Sequence, residues 1–167
     1  MLQEGAGKDE EERLRDDVRK SEREIKDRAA IDSIIRESVV CRLGLSDGEE
    51  PYIVPLCFGY DGRALYFHSA IEGRKIDVLR KNSRVCFEFD IPEGMKEAEE
   101  GCRWGIRYRS VIGAGTAAIV RDHGEKIRAL EIIMAQYSRK RYSFPEEIVA
   151  KTAIMKITIT EISGKQA

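Results

Sequence analysis

The stretch from Ile53 to Asp90 constrains the fold most, because short apolar runs alternate there with turn-forming residues. The pair Asp61-Gly62 separates two strand-like runs, and this pattern predicts a β-hairpin. A glycine-containing bend, a short helix over about 72–81 and a strand over 84–90 follow the hairpin. The regular strand–helix alternation of a doubly wound sheet is missing, so we expect antiparallel strands with helices inserted singly.

The rest of the chain favours the same arrangement. Asp27 is a typical N-cap for a helix over 28–37, and Asp122 for a helix over about 123–139. About six strands are predicted, which favours an antiparallel barrel with packed helices, a class that is mainly β with helices (α+β). The predicted strands cover 39–45, 52–58, 64–68, 84–90, 102–120 and 153–162, and 91–101 reads as an acidic loop.

The composition excludes several classes of function. A formal net charge of −1 gives no overall attraction to nucleic acid or to a membrane surface. No apolar run approaches membrane-spanning length and the chain begins with charged residues, so we expect a cytoplasmic protein. Cys41, Cys57 and Cys86 lie in apolar runs without a CxxC pair, which predicts buried free thiols rather than disulfides or metal ligands.

Residues 1–26 differ in kind from the remainder. Acidic and basic side chains alternate there, and Leu14, Val18 and Ile25 leave one thin apolar stripe on a helix. This pattern predicts a charged helix that is solvated or partly docked, with a protein-binding arm as the alternative. We therefore divide the chain into a charged N-terminal segment, 1–26, and a globular domain, 27–167.

The bend after the hairpin carries the clearest chemistry of the sequence. Gly73 precedes Arg74 and Lys75, which open the predicted helix. A helix N-terminus presents unpaired N–H groups and partial positive charge, arginine adds a planar fork of donors, and lysine adds a point charge. These features favour a phosphate cradle, and two cations on a solvated helix face are the alternative. No Walker loop, GxGxxG, GxSxG, HExxH or zinc spacing occurs elsewhere.

Six runs stand in a recognisable order and spacing: Tyr52-Ile53-Val54-Pro55-Leu56, Leu65-Tyr66-Phe67-His68-Ser69-Ala70, Gly73-Arg74-Lys75, Arg84-Val85-Cys86-Phe87, Trp104 to Val111, and Ile162-Ser163-Gly164-Lys165. Together they resemble the pyridoxamine 5'-phosphate oxidase-like FMN-binding split barrels, and within them the nitroimidazole-resistance branch. The resemblance covers about 25–166. It implies a six-stranded antiparallel split β-barrel that forms a homodimer, with an FMN at each of two sites between the subunits.

The resemblance also implies the residues of the site. Ser69, Arg74 and Lys75 match the hydroxyl and the Arg-Lys pair that hold the FMN phosphate, in agreement with the cradle above. The Val54-Pro55-Leu56 strand matches the segment whose backbone runs along the isoalloxazine ring, although Pro55 also reads as an ordinary edge proline. The implied cofactor contacts are Val54, Pro55, Leu56, His68, Ser69, Arg74, Lys75, Tyr108 and Ser110. His68 is also the candidate catalytic residue, with a structural histidine as its alternative.

The activity that the resemblance implies is an FMN-dependent oxidoreductase. It would transfer electrons or hydride to a small acceptor such as a nitroaromatic compound, a quinone-like compound or oxygen. No basic and aromatic match to the pyridoxamine-phosphate grip follows Lys156, which argues against vitamin B6 as the substrate. The alternatives are a flavin-binding or redox-sensing module without turnover, and a split barrel that binds deazaflavin or haem.

Overall fold

Capping side chains set the helix boundaries in the computed structural model, which describes residues 21–167. Helix α1, Arg28–Glu37, begins where the Asp27 carboxylate accepts from the backbone N–H groups of Ala29 and Ala30, as predicted. Helix α2 covers Arg74–Lys81, α3 covers His123–Tyr137, and α4 covers Glu146–Ala150. The Asp122 carboxylate caps α3 by accepting from the N–H of Glu125, which confirms the second predicted cap.

The described residues contain eight strands: β1 Glu24–Ile25, β2 Cys41–Asp47, β3 Glu50–Leu56, β4 Gly59–Tyr60, β5 Ala64–Ala70, β6 Arg84–Lys96, β7 Gly105–Val120 and β8 Thr152–Gln166. They form one antiparallel sheet in the order β3-β2-β6-β7-β8-β5-β4, with β1 paired to β8. The predicted α+β class with an antiparallel sheet is confirmed. The count is eight rather than the predicted six because two strands of only two residues each, β1 and β4, are added.

Two local predictions are wrong in part, because one misjudged which strand the Asp61-Gly62 turn joins to β5 and the other misjudged how far β6 extends. The Asp61-Gly62 turn joins β5 to the short β4, whereas β3 pairs with β2 across a turn at Gly48. The segment 91–101 is not simply a loop, because β6 runs on to Lys96 and pairs with β7. A bulge between Pro92 and Gly94, where Gly94 has φ +114°, carries the ladder past Glu93.

The sheet curls around a hydrophobic core on its inner face. Leu43 of β2, Phe87 of β6 and Phe67 of β5 lie there, and α1 and α2 pack on the same core. A smaller cluster on the outward side of β5 packs against Ala129 and Ile133 of α3. The sheet does not close: β3 and the β5–β4 pair end its two sides. We call the space between β3 and the end of β5 the seam.

The predicted burial of three cysteines is confirmed for Cys41 and wrong for Cys57 and Cys86. Cys41 is buried, but Cys57 and Cys86 are exposed, and all four thiols are free in the part of the chain described here. Cys86 points outward because β6 alternates its side chains, and its Sγ lies over Gly44, where no Cβ stands in the way.

The N-terminal prediction falls mostly on residues 1–20, which lie outside the described residues. Ser21–Arg23 form a single 3₁₀ turn, and Glu24 and Ile25 of β1 pair with Lys165 and Gly164. Among residues 21–167, no helix combines the length and apolarity that a membrane crossing requires.

Candidate functional site

Ser69 is the most unusual polar residue of the fold. It faces the core on the same side of β5 as Leu65 and Phe67, opposite Ala153 of β8. Its Oγ is the one buried side-chain oxygen or nitrogen in residues 21–167 that has no hydrogen-bond partner. A buried hydroxyl without a partner costs free energy, so its persistence points to a partner that the chain itself does not supply.

Helix α2 begins five residues after Ser69. Gly73 stands at its N-cap with φ +125° and supplies no side-chain cap. The Gly73 carbonyl accepts from Ile76 and Asp77. The N–H groups of Arg74 and Lys75 have no acceptor within the described residues, as expected for the first turn of a helix. A Cβ built on Gly73 would meet no atom within 4 Å, so the space before this helix is open.

The Arg74 side chain crosses the seam to β3. Its Nη2 lies 3.0 Å from Oε2 of Glu50, and its guanidinium carbon lies 4.6 Å from the centre of the Tyr52 ring. Arg74 is 55% exposed and Glu50 is 78% exposed, so solvent screens the ion pair. The two β3 partners were not among the predicted site residues, and no local sequence signal joins positions 22 and 24 residues apart.

Strand β3 forms the other wall of the seam. Tyr52, Val54 and Leu56 are half-buried on its inner face, whereas Pro55 is exposed on its outer face. The strand pairs with β2 on one side and ends the sheet on the other, which confirms the edge position expected for a proline. Arg74, predicted to hold a phosphate, therefore contacts β3 at Tyr52, two residues before the Val54–Leu56 segment that was predicted to run along the isoalloxazine ring.

Three other predicted site residues do not lie with Ser69 and Arg74 at the seam. His68 is exposed on the face of β5 opposite to Ser69. Tyr108 and Ser110 lie on the outer face of β7, where Ser110 is level with Asp90 and Lys165. Strand β7 is three places from β3 in the sheet, so one chain does not bring Tyr108 or Ser110 to the seam. Their roles, like that of His68, stay predictions.

The outer face of the four strands β3, β2, β6 and β7 is largely uncovered within the described residues. Ile53 is 69% exposed and Ile112 is 51% exposed on this face. The Arg42 guanidinium pairs there with the carboxylates of Glu88 and Asp90, and these contacts raise the Arg42 pKa, with the Asp90 hydrogen bond first. We call this surface the outer sheet face; it consists of Ile53, Gly44, Cys86, Ala114, Ile112 and the Arg42 cluster.

No group of three or more His, Cys, Asp or Glu side chains placed to hold a metal ion occurs in residues 21–167. The titratable groups whose pKa values are shifted form contacts that stabilise the fold, and they do not lie at the seam. Burial, and then a hydrogen bond to Asp61, raise the pKa of Tyr66 to about 12. Burial raises the pKa of Tyr137 to about 12 as well, and its hydroxyl joins the Phe58 N–H to the Val39 carbonyl.

Comparison with known proteins gives a consistent result. The family model described as pyridoxamine 5'-phosphate oxidase matches residues 27–166. A candidate 5-nitroimidazole antibiotic resistance protein from Bacteroides thetaiotaomicron is 35% identical, with 86% of each chain covered and a TM-score of 0.77. None of the curated proteins matches the chain.

Two more distant structures share the fold. A flavocytochrome from Azotobacter vinelandii is 21% identical, with 89% of this chain and 71% of that chain covered and a TM-score of 0.77. An FAD and haem binding protein from Mycobacterium smegmatis is 17% identical, with 87% and 73% covered and a TM-score of 0.76. At these identities the likeness concerns the fold alone.

Proposed function

The chain belongs to the pyridoxamine 5'-phosphate oxidase family, and from this we propose that it is a flavoprotein that binds FMN in the seam and passes electrons or hydride to a small acceptor. Two structures that share its fold are named for flavin chemistry or FAD binding, which supports a flavin as the ligand class. The 35% identical structure named for 5-nitroimidazole resistance supports a nitroaromatic compound as an acceptor worth testing.

The unpartnered Ser69 hydroxyl carries the proposal. It lies four residues before Gly73, in a segment that then presents two free backbone N–H groups and the side chains of Arg74 and Lys75. A phosphate monoester offers oxygens that accept only, and this set of groups supplies donors and positive charge. The residues present therefore fit the phosphate of FMN, and Ser69 would gain the acceptor that the chain lacks.

Strand β3 would hold the ring of the same ligand. As an edge strand it leaves one row of backbone N–H and C=O groups without a ladder partner, and these groups can meet the polar edge of an isoalloxazine along Val54 to Leu56. The half-buried Val54 and Leu56 would exclude water from one side of the ring. Bound FMN would supply the redox chemistry, while the chain binds and orients it.

We also propose that the protein is a homodimer joined through the outer sheet face. Tyr108 and Ser110 lie on the outer face of β7, away from the seam of their own chain, so they could serve a flavin site only in a second copy. The exposed Ile53 and Ile112 would be covered by that copy, and Arg42 already has its carboxylate partners within the chain. An interface of this kind is self-complementary, as two-fold symmetry requires.

The test begins with the purified chain mixed with FMN and passed through a desalting column, followed by its visible absorption spectrum. We expect about one retained FMN per chain, and a protein that retains none would refute the proposal. Replacing both Arg74 and Lys75 by alanine should abolish retention, whereas the matched pair Arg80→Ala and Arg84→Ala, two exposed cations at and just beyond the other end of α2, should not. Equal retention by the two double variants would refute the cradle.

The loaded protein then decides between an enzyme and a binding module. Reduced nicotinamide donors are mixed with it under argon, and bleaching of the flavin absorbance is followed. Reoxidation is next measured with a nitroimidazole, a quinone and oxygen in turn. Turnover with at least one donor and acceptor is the result expected of an oxidoreductase. Retained flavin that no donor reduces would instead assign a flavin-binding module.

A further inference from the structure

Arg74 is held from two directions before any ligand arrives. The Glu50 carboxylate lies 3.0 Å from its Nη2, and the Tyr52 ring lies beneath its guanidinium at 4.6 Å. Both partners belong to the start of β3, and they lie on one face of it because they are two residues apart. The same guanidinium is therefore shared between a carboxylate at its edge and an aromatic ring at its face.

This arrangement does not depend on Glu50 alone. The far end of α2 is tied to the same β2–β3 hairpin, because Lys81 Nζ lies 3.0 Å from Asp47 Oδ1 and Asn82 Nδ2 donates to the Ser46 carbonyl at 3.3 Å. These contacts keep α2 beside the hairpin. Removing the Glu50 charge should therefore leave Arg74 on the Tyr52 ring and leave α2 in position.

We infer that the Glu50 carboxylate competes with the phosphate for the Arg74 guanidinium. Tyr52 is then the positioning residue that keeps Arg74 directed at the phosphate site. A phosphate at the start of α2 must exchange the ion pair of Arg74 with Glu50 for its own, in the field of a carboxylate that repels it. The quadrupole of the Tyr52 ring attracts the guanidinium in both states, and the ring has no net charge that would repel the phosphate. This inference rests on the proposed function and assigns it two further residues.

The Glu50 part predicts tighter binding when a charge is removed. E50Q should lower the Kd for FMN about two- to fivefold, the range in which exposed ion pairs change equilibria. The Kd for riboflavin, which has the same ring and no phosphate, should not change. E49Q is the matched control, because Glu49 is the adjacent exposed carboxylate and should affect neither ligand. The Kd values come from titrations that follow quenching of flavin fluorescence.

The Tyr52 part predicts a dependence on the ring face and not on the hydroxyl. Y52L should raise the Kd for FMN about two- to fivefold, as expected for an exposed cation–π contact, whereas Y52F should bind FMN like the natural chain. Riboflavin should again distinguish lost Arg74 positioning from lost ring contact. Circular dichroism of each variant shows whether the folded fraction is unchanged.

The results separate this inference from the function on which it rests. A natural chain that does not bind FMN refutes the proposed function. A natural chain that binds FMN, with E50Q equal to or weaker than it, overturns the role of Glu50. Equal gains for FMN and riboflavin in E50Q overturn it too, because the effect would not involve the phosphate. Y52L that binds FMN as well as Y52F does overturns the role of Tyr52.

Discussion

Replacing Ser69 by alanine should move the stability and the ligand affinity of this protein in opposite directions. In the flavin-free chain the substitution removes a buried hydroxyl that has no partner, a group whose burial costs about 1–3 kcal/mol. Alanine leaves the rest of β5 unchanged, so we expect a gain of about 1 kcal/mol. For a domain of this size that gain raises the Tm by about 3 °C.

The same substitution should weaken FMN binding. A hydrogen bond to a charged group contributes about 1.5–3 kcal/mol, which corresponds to a loss of affinity of about tenfold or more. Thermal unfolding of the flavin-free variant and a fluorescence titration with FMN measure the two quantities. Riboflavin should bind the variant and the natural chain equally, since it lacks the group that Ser69 would contact.

Ser38 provides the control for both measurements. It is the other buried serine of the core, and its Oγ donates to the Ile34 carbonyl at 2.8 Å. S38A should therefore lower the free energy of unfolding by about 1 kcal/mol and leave the affinity for FMN unchanged. A destabilised flavin-free S69A would show that its hydroxyl has a partner in the chain. An unchanged Kd for FMN in S69A would refute its contact with the phosphate.

Three further predictions concern packing, assembly and pH. G59A should lose about 2 kcal/mol or more in urea unfolding, because a Cβ there would lie 2.6 Å from the backbone of α3, whereas G101A, in open space, should not. Ile112→Glu should convert a dimer to a monomer in light scattering, whereas the equally exposed Ile148→Glu should not. The raised pKa of Tyr66, about 12, adds stability that is complete below about pH 10 and is lost as the pH rises to 12. Y66F should abolish the part of the loss of unfolding free energy between about pH 10 and 12 that Tyr66 causes. An unchanged pH profile of stability in Y66F would contradict this role of Tyr66.

Local chemistry made much of the fold predictable. Helix α1 begins and ends where Asp27 and the apolar spacing place it, because a cap acts within one turn. The proposed phosphate cradle could be formulated from sequence for the same reason: Gly73, Arg74 and Lys75 are consecutive, and the start of a helix brings consecutive groups together.

The predictions that failed, and the contacts that were missed, depend on how the strands pair across the whole sheet. The Asp61-Gly62 turn was predicted correctly, but the strand before it was not. The local sequence does not show that β5 pairs with the short β4 instead of with the β3 segment. Cys86 was expected inside because its neighbours are apolar, whereas the register of β6 against β2 directs it outward. The missing acceptor for Ser69 is likewise a property of the whole fold, since an unpaired group is recognised only when its surroundings are known.

The pairing of β8 has a consequence for how the protein is made. This strand is the last of the described strands to leave the ribosome, and it pairs with β1, β5 and β7. Until it emerges, the β4–β5 hairpin has no strand that joins it to β2, β3, β6 and β7. The two walls of the seam are therefore synthesised early and brought together late. A nascent chain arrested before Thr152 should be unable to capture flavin, and cofactor loading should follow completion of the polypeptide.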